Sequence, residues 1–465
     1  MPIAHPEETV MARPQPLTPE DVRREVDAGH IDTVAVAITD MQGRLQGKRI
    51  DADYFVDEVM TGYTEGCNYL MAVDVDMNTV DGYAMSSWDS GYGDMVMRPD
   101  LNTLHRNPWQ PGTVGVLCDL ETEEGEPVAA SPRQILRKQL DRLTEAGYGA
   151  FVGTELEFIV FQDSYEEAWL AGYRDLTPAN LYNVDYSMLG TARVEPLLRR
   201  IRNAMTGAGM IVESAKGECN LGQHEIAFKY QEALRTCDNH VIYKNGAKEI
   251  AAQEGVALTF MAKYNEREGN SCHIHLSFRG VGGDMVMADH HDEEQGLSAV
   301  GRAFIAGQLA HARELTLMYA PQINSYKRYV PGSFAPTAIR WGRDNRTCAF
   351  RLVGHGQSLR LENRVPGGDV NPYLAVAGMV AAGLDGIQRQ LPLEEVFVGN
   401  AYADDSERVP SSMGEALEAW ESSDWIRETF GQEVQDHYSN MARIELADYG
   451  RTVTDWERYR SFERL

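Results

Sequence analysis

The stretch FVGTELEFIVF, Phe151 to Phe161, decides the fold. Side chains alternate between the two faces of a strand, so Glu155 and Glu157 share one face while Leu156, Phe158 and Val160 share the other. One such strand reads equally as a half-exposed strand with a solvated acidic face, so its meaning depends on further strands of the same kind. GQHEIAFKY supplies one, with Glu225 opposed to Ile226 and Phe228, and Glu218 stands seven residues earlier in KGECNLGQHE. NSCHIHLSF sets His273, His275 and Ser277 against Ile274, Leu276 and Phe278, and SLRLENRV sets Arg360, Glu362 and Arg364 against Leu361, Asn363 and Val365. Five carboxylates and an imidazole thus gather on four strands with little Lys to neutralise them. Like charges at close range cannot all stay ionised, and divalent cations remove that cost. Oxygen-rich ligands with an imidazole favour Mg²⁺ or Mn²⁺ over zinc.

A basic segment accompanies the acidic strands. NSYKRYVPGSFAP and RWGRDNRTCAFR bring Arg328, Arg340, Arg343, Arg346 and Arg351, whose forked guanidinium groups suit carboxylate and phosphoryl oxygens. Metal-binding carboxylates with arginines, and no G-x-x-x-x-G-K-[ST] loop, fit phosphoryl transfer by metals and side chains. The acidic stretch near Asp74, Asp76 and Asp81 reads either as a second anionic subsite or as a solvated loop.

Outward from these strands, the chain of 465 residues allows two or three domains. SPRQILRKQLDRLTEAG is a helix, with Ser131 as N-cap, Pro132 at the first position and Gly147 as stop. Further helices are expected over Val194–Met205, Ser298–Tyr319 and Pro372–Leu384, with several short ones after Ser411. The segment from Asp163 to Gly190 looks like an insertion over a site. Upstream, IDTVAVAIT and DMQGRLQGKRI predict a hairpin, VGVLCDL closes a first sheet, and ETEEGEPVAA is the connection, with a boundary near Pro127. The expected division is a flexible tail over 1–17, a first domain over 18–126 and a catalytic domain over 127–465.

Lys+Arg 43 against Asp+Glu 70 gives a net charge of −27, which repels phosphate backbones and anionic lipid heads, so neither nucleic acid nor a membrane surface is the expected partner. The longest apolar stretch, near Leu374 to Leu384, is too short to span a bilayer. The N-terminal MPIAHPEETVMARPQP lacks the basic start and apolar run of an export signal, and the six cysteines are scattered without C-x-x-C. Reduced thiols in the cytoplasm are the expectation.

G-x-E-x-E-F at Gly153, Glu218 to Glu225 containing G-Q-H-E, M-A-K at Met261 with G-N-S-C-H-I-H, N-S-Y-K-R at Asn324, D-N-R at Asp344 and R-L-E-N-R-V-P-G-G-D-V-N-P-Y at Arg360 resemble, in order and spacing, the motif series of the glutamine synthetase superfamily. The resemblance implies an α+β protein, a β-grasp domain followed by a catalytic domain built on a curved antiparallel sheet, working as a homo-oligomer of stacked six-membered rings, a dodecamer. It implies that Glu157, Glu218 and Glu225 hold a metal beside glutamate, and that Glu155, His273 and Glu362 hold the metal on the ATP phosphates. Arg328 and Gly269 would bind glutamate, Arg346 and Arg364 would stabilise the transferring phosphoryl group, and His275, Ser277 and Arg351 would line the nucleotide.

Two departures redirect the substrate. The family's ammonia-using members carry Glu in P-G-x-E-A-P, where this chain has Phe334, and D-G-S-S where this chain has Thr64-Glu65-Gly66-Cys67-Asn68. Glu268 also replaces an expected Asn near glutamate. Phe334 removes a fixed anion from the ammonium site and leaves room for an amine with a carbon stem, with Glu65 as candidate base. The implied activity is an ATP-dependent glutamate–amine ligase, closest to the γ-glutamylethanolamide synthetase branch. The alternatives are a γ-glutamylpolyamine synthetase, an ammonia-using glutamine synthetase, a non-catalytic relative and a magnesium-dependent hydrolase.

Overall fold

The computed structural model describes residues 16–292 and 294–465; of the tail expected over 1–17, residues 1–15 lie outside those described. In the first region, strands β1 (Thr33–Thr39) and β2 (Leu45–Asp51) form the expected hairpin. Its turn is closed by the Asp40 carboxylate, which accepts from the backbone N–H groups of Gln42 (3.0 Å) and Arg44 (2.8 Å), with Gly43 at φ +77°. With β3 (Thr64–Cys67), β4 (Asp94–Pro99), β5 (His105–Arg106) and β6 (Thr113–Glu121) the sheet order is β2-β1-β6-β4-β3, and β5 pairs with β6. Only β1 and β6 run parallel, side by side at the centre, which is the β-grasp arrangement.

The second sheet has nine strands. Its spine is β7 (Tyr148–Phe161), flanked by β8 (Val212–Gly217), β9 (Gln223–Phe228), β10 (Gln231–Glu232), β11 (Ala257–Thr259), β12 (Cys272–Gly280), β13 (Trp341–Arg343), β14 (Phe350–Val353) and β15 (Arg360–Asn363). The order is β13-β14-β15-β12-β7-β9-β8, with β10 and β11 also on β7, and every pairing but β13 with β14 is antiparallel. Leu156, Phe158 and Val160 enter the main core as parity requires. Ile159 and Phe161, on the acidic face, are buried too, in a small cluster with Ala168 and Leu176 from the 163–190 segment.

Helix Pro132–Glu145 begins and ends as expected, with Gly147 at φ +89°, although the Ser131 hydroxyl makes no capping bond. The helix expected over Ser298–Tyr319 is instead two, Ala299–His311 and Thr316–Tyr319. The short helices expected after Ser411 are present as Met413–Ser422, Asp424–Phe430 and Asp455–Ser461, with a longer one, Gln432–Arg451, of 20 residues among them. Helix Ala233–Gln253 has no counterpart in the sequence reading. The two regions are joined by buried polar contacts. Arg133 ion-pairs with Asp100, Asp119 and Asp238, and Asn371 donates to the carbonyls of Asp40 (3.2 Å) and Met41 (3.1 Å).

Candidate active site

Strand register writes two polar rows across the second sheet. Lys216 on β8 stands opposite Glu225 on β9, which stands opposite Glu157 on β7. Arg351 on β14 stands opposite Glu362 on β15, which stands opposite His275 on β12, while His273 faces Glu155 across β12 and β7. The strand bearing both acids is therefore the seam between the rows.

In the first row, ligand atoms of Glu157, Glu218 and Glu225 lie within 4.8 Å of one another. Burial drives the Glu157 carboxyl up to about 7, against the pull of the Ser271 N–H, which donates to Glu157 Oε2 at 2.7 Å. Burial, then the negative charge of Glu155, drives Glu225 up to about 8. A protein without a cation here must hold protons on groups that otherwise ionise freely, and Lys216, paired with Glu218, brings a positive charge into the row. A divalent ion taking oxygen ligands fits this donor set, replacing those protons.

In the second row, His273 Nδ1 lies 3.3 Å from Glu155 Oε2 and 3.6 Å from Glu362 Oε1, and its Nε2 is buried without a partner among the described residues. His275 Nε2 lies 2.9 Å from Glu155 Oε1, and the atoms of Glu155, His275 and Glu362 fall within 4.8 Å of one another. Both imidazoles are thus brought against Glu155, so the sequence-based separation of His273 as ligand from His275 as nucleotide wall is not visible in the geometry. Burial, then the charge of Arg364, pushes His273 down to about 4, leaving the neutral imidazole that a metal requires. Burial opposes ionisation of Glu362, but His273, in the protonated form it takes at low pH, and Arg364 overcome it and hold the carboxyl at about 2. Arg351 donates to Glu362 Oε2 at 2.7 Å, and Arg364 pairs with Glu362 Oε1.

Beside this row lies a cleft of about 480 Å³ lined by Glu155, His275, Ser277, Tyr230, Arg360 and others. Arg328 is wholly buried and donates to the carbonyls of Val365 and Arg364, both at 2.8 Å, with its Nε unpartnered among the described residues. Gly269 is needed next to it, since a Cβ there would stand 2.3 Å from the Ala262 carbonyl oxygen and 2.6 Å from Arg328 Cγ. Phe334 is 56% exposed at φ +59°, and its carbonyl accepts from Arg364 Nη2 at 3.3 Å.

Four expected residues stand apart. Arg346 is exposed, with no hydrogen bond or ion pair among the described residues. Glu65 is exposed on β3, an edge of the first sheet, with no side-chain bond to the site. Asp74 is occupied by its own turn, accepting from Asn78 N (2.8 Å) and Nδ2 (2.9 Å), and the Asp81 backbone carbonyl accepts from Asn440 Nδ2 (3.0 Å). The 163–190 segment does border the first row: Asp185 lies within 4.8 Å of Glu218 and Cys219, and Lys216 Nζ sits 4.9 Å from the Tyr186 ring centre.

Sequence reasoning passed over Gln223, whose Nε2 donates to Glu157 Oε2 (3.0 Å), the Gly269 carbonyl (2.9 Å) and Asn270 Oδ1 (3.1 Å). Its signal was available, since it lies two residues before Glu225 on the same strand face. Lys216 and Asp344, which binds Arg351 Nε at 3.0 Å, were likewise passed over.

The glutamine synthetase catalytic-domain family matches residues 129–461. The chain is 65% identical over 456 residues to the gamma-glutamylethanolamide synthetase GlnA4 of Streptomyces coelicolor, covering 98% of each. It is 37% identical over 441 residues to a glutamate–isopropylamine ligase of Pseudomonas sp, covering 94% of this chain and 96% of the relative. A solved structure of GmaS in complex with ADP superposes with a TM-score of 0.83 at 28% identity, covering 95% of this chain and 99% of that one.

Proposed function

The chain belongs to the glutamine synthetase family, and on that premise we propose that it is an ATP-dependent glutamate–amine ligase making γ-glutamylethanolamide from glutamate and ethanolamine. The observation that carries the choice of amine is Phe334, an apolar side chain at the rim of the site where an ammonia-using enzyme would place a carboxylate. The 65% identity to an ethanolamide-forming relative supports the same choice. With the Asp74 carboxylate engaged in its own turn, no comparable observation favours a polyamine.

Glu157, Glu218 and Glu225 would hold one divalent cation and Glu155, His273, His275 and Glu362 a second, as Mg²⁺ or Mn²⁺. Such ions neutralise phosphoryl oxygens as charge develops. Arg328 and Gly269 hold the glutamate end, with Gln223 fixing Glu157 and the Gly269 backbone together. Arg364, carried on the same strand end as Glu362, and Arg346, free to turn inward from its loop, stabilise the γ-phosphoryl group in transit. Ser277 and Arg351 face the nucleotide. The γ-carboxylate of glutamate takes the phosphoryl group and the amine displaces phosphate. An alkylammonium has a pKa of about 10.4, so a base must remove its proton before attack. Glu65 fills this role from a neighbouring subunit's first sheet, in a homo-oligomer of ringed type. The two sheets correspond to a β-grasp domain over 18–126 and a catalytic domain over 127–465, and the reaction takes place in the cytoplasm.

Phosphate release with ATP and glutamate, measured with and without a panel of amines, tests the reading. Release that depends on ethanolamine is the expected result. More efficient use of ammonium than of any organic amine overturns the substrate, amine-independent release indicates a hydrolase, and no release indicates a non-catalytic relative.

A further inference from the structure

Away from the two polar rows, the β1–β2 hairpin, helix Ala233–Gln253 and the Gln322–Lys327 segment enclose a cavity of about 710 Å³. Four cationic side chains line it: Arg44, Lys244, Lys248 and Lys327. Lys244 and Lys248 are one helical turn apart on one face, a spacing at which like charges repel. Their ammonium groups lie 5.6 Å and 5.9 Å from the centre of the same Phe260 ring. Lys244 spends one N–H on the Gly368 carbonyl at 2.8 Å, and Lys248 makes no hydrogen bond among the described residues. Arg44 is already held by Asp40 at 2.7 Å.

Two acids also line the cavity: the charge of Asp369 favours the Lys244 ammonium without forming an ion pair, and neither acid pairs with Lys248 among the described residues. Asp369 accepts from Ser325 Oγ at 2.7 Å, and Glu445 faces Asp448, Asp74 and Asp76, so that burial and these neighbours raise its pKa. No ion pair joins Lys244 or Lys248 to a carboxylate among the described residues. Burial, then the charge of Lys248, lowers Lys244 to about 8. Four cations thus outnumber two acids around the cavity, with Lys244 half-buried and Lys248 and Lys327 reaching solvent, and an anion entering it would relieve their mutual repulsion.

We propose that this cavity binds an organic oxyanion, a phosphate or carboxylate head held by Lys244 and Lys248 with an apolar body against Val75 and Ile323. The volume lies in the range of small-molecule sites, and a bare inorganic anion would leave most of it unfilled. The ligand would also touch Asn324 and Lys327, in the segment that carries Arg328, and so bear on the neighbouring substrate arginine. The site is independent of the reaction assigned above, since its occupancy is read without turnover.

Isothermal titration calorimetry on the full chain, with phenyl phosphate, phenylacetate and inorganic phosphate as separate probes, tests this. Saturable binding of at least one organic probe is expected, stronger than that of inorganic phosphate, and the arm that binds identifies the head group. Lys248→Met should weaken that binding by about tenfold or more and Lys248→Arg should preserve it. Without ligand, Lys248→Met should melt higher than the parent, because it removes the repulsion. The proposal is overturned if Lys248→Met binds the organic probes as tightly as the parent. It is overturned equally if neither organic probe binds more tightly than about 1 mM.

Discussion

At Gly269 one hydrogen atom in place of a methyl group decides whether Arg328 keeps its position. Gly269→Ala would place a carbon 2.6 Å from Arg328 Cγ, with the Ala262 carbonyl blocking retreat on the other side. Displacing a substrate-positioning group by about an ångström costs on the order of 10²-fold in rate. A loss of that size in kcat/KM for glutamate is expected in steady-state assays, with the KM for ATP nearly unchanged. Phe334 makes the converse point. A bulky residue in the left-handed region costs about 1–3 kcal/mol and persists because its surroundings dictate it, here through the bond from Arg364 to its carbonyl. Phe334→Glu should keep that backbone, weaken ethanolamine use and admit ammonium, which a competition assay with both amines would register. Unchanged preference would mean that the apolar rim does not select the substrate.

Among the elements, the helices Ala299–His311 and Pro372–Arg389 approach so closely that a Cβ on Gly307 would stand 2.0 Å from the Ala382 carbonyl oxygen and one on Gly386 2.1 Å from that of Ala303. Gly307→Ala must force the pair apart, and overpacking of this kind costs about 1–3 kcal/mol, to be read from the midpoint of urea unfolding. The strands were legible because their chemistry obeys a period of two: Glu155, Glu157, Glu225, His273, His275 and Glu362 all sit on the face that parity assigns. Helix Ala233–Gln253 was not, because it is surrounded. Buried residues fall on every side of it, among them Asp238 and His240, so no apolar stripe remains to be seen. The break after His311 escaped notice for a related reason, since the residues on both sides of it are buried and the apolar pattern continues through the bend. Which lysines would face one cavity was equally hidden, because that depends on how the first sheet's hairpin docks onto this helix.

For the molecule as a whole, His105, His224 and His437 are pushed down to about 4 and His240 to about 3, chiefly by burial. Their ordinary value is 6.5, so between these limits the unfolded chain binds protons that the folded one refuses. Stability from these groups is complete above pH 6.5 and is lost as pH falls through 4, each contributing a slope of up to about 1.4 kcal/mol per pH unit. Glu157 and Glu225, raised instead, oppose this in the metal-free protein, favouring the folded state at low pH and losing that contribution as pH rises through 7 and 8. Melting temperatures across pH 4 to 6.5 should therefore fall with acidity, less so in His437→Gln. A melting temperature flat over that interval would contradict the assignment of neutral buried imidazoles. Assembly is tested separately. Light scattering should give a multiple of 51.9 kDa, and a fully active monomer would show that Glu65 is not supplied by a neighbour. The position of β7 has one further consequence, for how the chain is made. This strand is an early product of synthesis, yet it pairs with β9, β10, β11 and β12, and Glu362 arrives only with β15. Pairings so distant along the chain form slowly, and a growing polypeptide exposes the unpaired edges of β7 until its last partners emerge from the ribosome. Nascent chains stalled before β12 should therefore be held by chaperones and bind no metal, and those released after β15 should do both their folding and their metal loading late.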